Sequence, residues 1–214
     1  MSDDLDSQAS TITSSDGTVL EAVIDRPTPA TSTRAVAAIA HPHPQYGGDL
    51  HNNVVGALQR GLVASGAVTV RFNFRGVGAS GGTHSGGTHE RADYVAALDA
   101  AAALDTTVPL YACGYSFGAD VALTSAHGRL AAWIVVAPPL RLFADELYVA
   151  AIDARPKHLI VGAHDQHASP ETVRAITAGW RNVIVHPVEM ADHFFAGTTS
   201  RVAEIVTRIV TDER

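Results

Sequence analysis

The 214-residue chain is 46% apolar and 17% charged with a formal net charge of −7, a globular composition that fits one domain around one core. It has no basic run to draw it to phosphate backbones or an anionic membrane, so neither nucleic acid nor a lipid surface is an expected partner. A single cysteine, Cys113, excludes an intramolecular disulfide and any cysteine-rich metal site, and fits a reducing compartment.

Residues 1–8 read as a flexible start, with Asp3, Asp4 and Asp6 where a secretory signal would be basic and then apolar. No apolar stretch approaches the roughly 18 residues of a membrane span, so the expected location is the cytoplasm. Residues 9–214 read as one domain. It opens with strands over 9–14 and 18–25 around the tight turn Ser15-Asp16-Gly17, followed by a Pro/Thr/Ser linker at 26–33.

From Arg34 the pattern changes to alternation. Strands are predicted at 35–40, 67–74, 108–113, 131–136, 155–162 and 182–188, and helices at 52–65, 89–104, 117–127, 170–179 and 199–212. Ser169-Pro170-Glu171 offers a cap, a proline at the first helical position and an acid in the first turn; Thr88 is a candidate cap for the helix after it. Strand-then-helix alternation implies an α/β fold, a mostly parallel sheet with helices on both faces and an antiparallel N-terminal hairpin. In such sheets ligands sit beyond the carboxyl ends of the strands, so the residues after each strand are the candidates.

After strand 35–40 comes His41-Pro42-His43-Pro44-Gln45-Tyr46-Gly47-Gly48. His41, His43, Asp49 and His51 are individually suited to zinc, but no metal-ligand spacing is present, so no metal is expected. One histidine is instead expected to pack under the loop and donate a structural hydrogen bond. After strand 67–74, Gly76-Val77-Gly78-Ala79-Ser80-Gly81 matches G-x-G-x-x-G by letter. The dinucleotide fingerprint needs its third glycine inside a helix, and the glycine-rich run that follows forms none, so no cofactor is expected. Arg75 beside it reads as a structural ion-pair former near the pocket.

Strand 108–113 leads into Gly114-Tyr115-Ser116-Phe117-Gly118 and then a helix, the context in which G-x-S-x-G marks a nucleophile. Ser116 needs a base and a group to orient it. Asp165 follows strand 155–162 and His193 follows strand 182–188, which gives the order serine, acid, histidine. His164 and His167, on the acid's own loop, are weaker candidates for the base, and Asp192 and Glu189 are fallbacks for the acid. An oxyanion requires two backbone donors. Phe117 supplies one; because Pro42 and Pro44 have no N–H, Gln45 or Tyr46 is the other, with Gln45 preferred. Cys113 reads as a small core residue, Phe194 and Phe195 as packing for the histidine loop, and Phe72, Phe74 and Trp133 as core.

The motifs at 41–48, 71–80 (Arg-Phe-Asn-Phe-Arg-Gly-Val-Gly-Ala-Ser), 114–118 and 192–195 (Asp-His-Phe-Phe) together resemble a small, cap-less bacterial group of the α/β-hydrolase superfamily. The resemblance covers nearly the whole chain. It implies a serine hydrolase with a Ser116–Asp165–His193 triad. His43, Tyr46, Arg75, Tyr115 and Phe194 are the expected pocket or supporting residues. The short stretch Ala137 to Ala154, where larger relatives insert a cap, implies an open site rimmed by Pro138-Pro139-Leu140 and Leu142-Phe143. A small-molecule ester with a short acyl chain is the expected substrate, with thioester or peptide cleavage, or a non-catalytic binding role, as alternatives. A homodimer is compatible with the sequence but not derivable from it.

Overall fold

The computed structural model describes residues 5–28 and 32–212; of the start expected to be flexible, 1–8, residues 1–4 lie outside them while residues 5–8 belong to a strand, and residues 29–31 of the expected linker 26–33 also lie outside. Strands β1 (Leu5–Thr13) and β2 (Val19–Pro27) pair antiparallel, turning where Asp16 Oδ1 accepts the Thr18 N–H at 3.0 Å. Strand β1 begins at Leu5, earlier than the apolar pattern indicates. Asp6, Ser7 and Gln8 show no alternation, yet each is in register with β2, so backbone pairing rather than side-chain burial holds this end.

The chain continues as β3 (Ala35–Ala40), α1 (Asn53–Ala64), β4 (Ala67–Phe72), α2 (Glu90–Leu104), β5 (Leu110–Tyr115), α3 (Phe117–Leu123) and β6 (Leu130–Val136). It ends as β7 (Lys157–Gly162), α4 (Pro170–Ile176), β8 (Val183–Val188) and α5 (Thr199–Asp212). All strands join one sheet in the order β1-β2-β4-β3-β5-β6-β7-β8. Strand β2 is antiparallel to both neighbours, and the pairs from β4 to β8 are parallel. The catalytic-type loops after β3, β5, β7 and β8 therefore emerge at one end of the sheet, as expected for this fold class.

Local chemistry sets the boundaries. Strand β5 runs on to Tyr115 because Gly114 and Tyr115 still pair with Val135 and Val136 of β6. Helix α3 stops at Leu123, short of residue 127, where the Thr124 and Ser125 hydroxyls turn back onto the Val121 carbonyl. Ser169 caps α4 by accepting the Thr172 N–H. Thr88 does not cap α2. The Glu90 carboxylate instead accepts the Ser85 and Gly87 N–H groups at 2.7 and 2.8 Å and organises the glycine-rich loop.

Two apolar layers cover the sheet. One joins Phe72, Phe74, Trp133 and Leu159 to Tyr94 and Leu98 of α2, to α3 and to Val173 of α4. The other joins Ile39, Cys113 and Ile134 to Val54, Leu58 and Leu62 of α1 and to Val202 and Val206 of α5. Arg75 ties the hairpin to the sheet end: its guanidinium bonds Asp93 at 2.6 and 2.9 Å and Asp16 at 2.8 Å. Those carboxylates hold its proton more tightly than usual, burial acting the other way. Among the described residues no helix is long and apolar enough to cross a membrane.

Candidate active site

Ser116 sits between β5 and α3 with φ 51° and ψ −116°, a backbone state that costs a non-glycine residue of order 1–3 kcal/mol and is held only by surrounding structure. Its N–H donates to Val136 O at 2.9 Å. Both flanking glycines are required by backbone contact. A Cβ at Gly114 would overlap the Gly118 carbonyl, and one at Gly118 would overlap the His41 and Ala40 carbonyls. Ala137, Leu140, Met190 and Phe195 also have positive φ, at 45°, 54°, 61° and 54°. Among the described residues, five of the six non-glycine residues at positive φ thus lie on the loops beyond β5, β6 and β8, the sixth being Asn182 before β8.

The turn raises Ser116 toward the histidine loop. Ser116 Oγ lies 3.1 Å from His193 Nε2, and His193 Nδ1 lies 2.8 Å from Asp165 Oδ2. With Asp165 accepting from Nδ1–H, the tautomer leaves Nε2 free to accept the serine proton. Asp165 is held in turn by the His167 and Ala168 amides, which donate to its Oδ1 at 2.8 and 3.0 Å. Burial pushes its carboxyl up, but the His193 bond and charge and these amides outweigh burial and leave it below the ordinary value.

Two contacts fix the histidine loop. The Tyr115 hydroxyl donates to His193 O at 2.9 Å, and Gly162 lets the acid loop approach closely, since a Cβ there would meet the Ala191 and Asp192 carbonyls. Phe195 is buried beneath the loop, whereas Phe194 is 63% exposed and lines the cavity instead of packing the loop. Asp192 accepts the Phe194 N–H at 3.0 Å and shapes the turn, while the imidazole is bonded by Asp165. His167 packs edge-on against His193 with ring centroids 4.7 Å apart, beside the imidazole that contacts Ser116 rather than in its place.

A cavity of about 660 Å³ opens over Ser116, walled by the His-Pro loop, Tyr115, Phe117, Pro139, Arg141, Leu142, His167, His193 and Phe194. His43 and Tyr46 line it as the sequence suggests. Arg75 does not, because its head group is turned to Asp93 and Asp16. Gln45 is also absent from the walls, and its N–H donates to His43 Nδ1 at 3.2 Å. Tyr46 N–H is taken by His43 O, Gly47 N–H by Pro44 O and Gly48 N–H by His43 O. From Pro42 to Gly48, the His43 N–H is the one without an acceptor among the described residues. The prolines point to the amides after them, Gln45 and Tyr46, whereas the free amide lies between them, at His43.

Two further residues carried little sequence signal. Asp120 is fully buried in α3 and accepts from the Leu140 and Leu142 amides and the Tyr148 hydroxyl at 3.0, 3.4 and 2.9 Å. A lone acid inside the apolar run Phe117–Leu123 was the available hint. Arg141 stands on the segment that Asp120 anchors, where no periodicity marks it.

His41 is the packed histidine. It is fully buried, with Nδ1 bonded to Pro42 O at 2.7 Å and Nε2 accepting the Phe74 N–H at 3.0 Å, which locks the loop to the end of β4. Among the described residues no group of three or more His, Cys, Asp or Glu side chains is placed to hold a metal ion. Burial, only partly opposed by the Pro42 bond, pushes His41 down from 6.5 to about 4. Its stabilisation is complete above pH 6.5 and is lost as pH falls toward 4, because the unfolded chain takes a proton that the folded chain refuses. Asp120 opposes this, since burial raises its folded pKa from 3.8 to about 6. The His41→Gln variant should therefore lose roughly 2–3 kcal/mol less than wild type between pH 7 and pH 4.5 in urea titrations. Equal losses in the two proteins would contradict this role.

The profile of the family described as X-Pro dipeptidyl-peptidase (S15 family) matches residues 16–177. An α/β serine hydrolase homologue from Coxiella burnetii shares 31% identity and superposes with a TM-score of 0.84, over 94% of this chain and 96% of that one. An α/β serine hydrolase without a lid from Xanthomonas campestris shares 28% identity with a TM-score of 0.83, over 97% and 94%. An uncharacterized protein of Rickettsia prowazekii is 30% identical over 189 residues, 83% of this chain and 79% of that protein. The chain belongs to the S15 family so described and with it to the α/β-hydrolase superfamily, as a hydrolase whose fold has no lid.

Proposed function

We propose that this chain is a serine esterase that cleaves small or short-acyl esters through an acyl-enzyme on Ser116. The observation that carries the reading is the continuous contact Ser116 Oγ–His193 Nε2–Asp165 at 3.1 and 2.8 Å, at the base of an open cavity. His193 takes the Ser116 proton as Oγ attacks the ester carbonyl carbon, and Asp165 holds the resulting imidazolium. The tetrahedral oxyanion is received by two amides. One is Phe117 N–H, at the first position of α3, where a helix leaves its N–H groups without internal acceptors. The other is His43 N–H, unbonded in the loop that walls the same cavity. Collapse returns the proton from His193 to the departing alcohol, and a water repeats the sequence to release the acid.

The family description brings a second reading, removal of X-Pro dipeptides. Such a substrate carries an α-ammonium group that needs a carboxylate in the pocket. Among the described residues the walls here offer Arg141 and no carboxylate, which suits neutral or anionic esters better. Rates on 4-nitrophenyl acetate, butyrate and octanoate beside Ala-Pro-4-nitroanilide separate the two. Turnover of the short esters with at least about a hundredfold lower kcat/KM on the anilide is expected; the reverse ranking would overturn the ester reading.

A further inference from the structure

Arg141 joins two features: it has no carboxylate partner among the described residues, and it lines the cavity over Ser116. Arg71, Arg75, Arg155, Arg174 and Arg201 each face a carboxylate within 4.0 Å. Arg141 faces none among the described residues, and its one side-chain contact is with His167 Nδ1 at 3.4 Å. It lines the Ser116 cavity, where among the described residues it is the one Lys, Arg, Asp or Glu side chain on the walls. The distance to the chemistry is short: His167 packs on His193, and His193 contacts Ser116.

The backbone beneath Arg141 is built rather than loose. Leu140 and Leu142, on either side of it, donate their N–H groups to the two oxygens of the buried Asp120 carboxylate. Tyr148 donates its hydroxyl to the same carboxylate and closes the segment from the far end. Leu140 is held at φ 54°, a conformation that needs such over-determination. Asp120 lies four residues after Ser116 on the helix that the nucleophile opens. One short helix thus fixes both Ser116 and the position of the arginine on the cavity wall.

We infer that Arg141 is an anion anchor, so that the esters this site favours carry a carboxylate within reach of the bond being cleaved, and that Asp120 is the positioning residue that sets Arg141 over the cavity. This deepens the esterase reading and rests on it. Loss of an ammonium-bearing substrate and gain of a carboxylate-bearing one follow from the same wall charge, in a protein whose overall charge of −7 would otherwise repel anions.

Two matched substrate pairs test the inference and distinguish where the carboxylate sits. On the acyl side, the 4-nitrophenyl monoester of adipic acid is compared with 4-nitrophenyl hexanoate. On the alcohol side, the butyryl ester of 4-hydroxybenzoate is compared with that of 4-hydroxybenzamide. The anionic member of one pair should be preferred in kcat/KM by about fivefold, the scale of one rim ion pair. The preference should disappear in Arg141→Gln, return in part in Arg141→Lys, and weaken in Asp120→Asn; a merely structural Asp120 would lower both members of a pair alike. Equal rates within both pairs, or a preference that survives Arg141→Gln, overturn the anchor while leaving the esterase intact. Failure to hydrolyse any of the four overturns the esterase reading itself.

Discussion

Replacing Ser116 with alanine is expected to lower kcat for 4-nitrophenyl butyrate by about 10⁴-fold or more while changing KM little. In the proposed mechanism Ser116 Oγ is the one triad atom that bonds to substrate, so its loss leaves only what the amides of Phe117 and His43 and cavity binding supply. That residue of catalysis is small because no neighbouring group in the cavity can replace the alkoxide. The substitution should be nearly silent in stability. Ser116 Oγ makes one contact, to His193 at 3.1 Å, and the N–H bond to Val136 that holds the turn is a backbone interaction. A variant whose kcat stays within tenfold of wild type, at an unchanged melting temperature, would mean that Ser116 does not attack the ester.

The second large effect concerns the oxyanion. The His43→Pro variant should lose about 10²–10³-fold in kcat, the usual consequence of deleting one preorganised donor. Proline is well suited to the position, because His43 already has φ −55° and ψ 123° before Pro44, so the change removes an N–H with little backbone disturbance. His43→Ala is the necessary partner, since it deletes the imidazole that accepts from Gln45 yet keeps the amide. Alanine should cost less than about tenfold. Equal losses in both variants would assign the effect to the ring and refute the amide.

That comparison marks the border of what sequence reveals. The strand–helix alternation, the mostly parallel sheet, the strand–turn–helix around Ser116 and the positions of Asp165 and His193 after later strands were legible, because each rests on short-range patterning that places a residue just beyond a strand end. The glycines at 114 and 118 were legible for the same reason. The oxyanion loop was not. Gln45 is the natural choice when two prolines are struck out, but its amide turns onto the His43 ring, a local side-chain-to-backbone bond of the kind that sequence spacing alone does not rank. Arg141 and Asp120 were invisible for a different reason. The stretch from Ala137 to Ala154 has no periodicity, and its conformation is decided by a buried carboxylate on another element. The earlier start of β1 belongs with these cases, since edge pairing through the backbone leaves no apolar imprint.

These residues also explain how an open cavity keeps its geometry. Tyr115 and Gly162 hold the histidine loop, His41 holds the His-Pro loop, and Asp120 holds the rim. None of the three restraints depends on a cap.

The most direct measurement is intact-protein and peptide mass spectrometry after brief exposure to a fluorophosphonate. One adduct per chain is predicted, carried by the peptide that contains Ser116, with labelling absent in Ser116→Ala and sharply slowed in His193→Ala. An unmodified wild type, or an adduct on any other residue, would contradict the account.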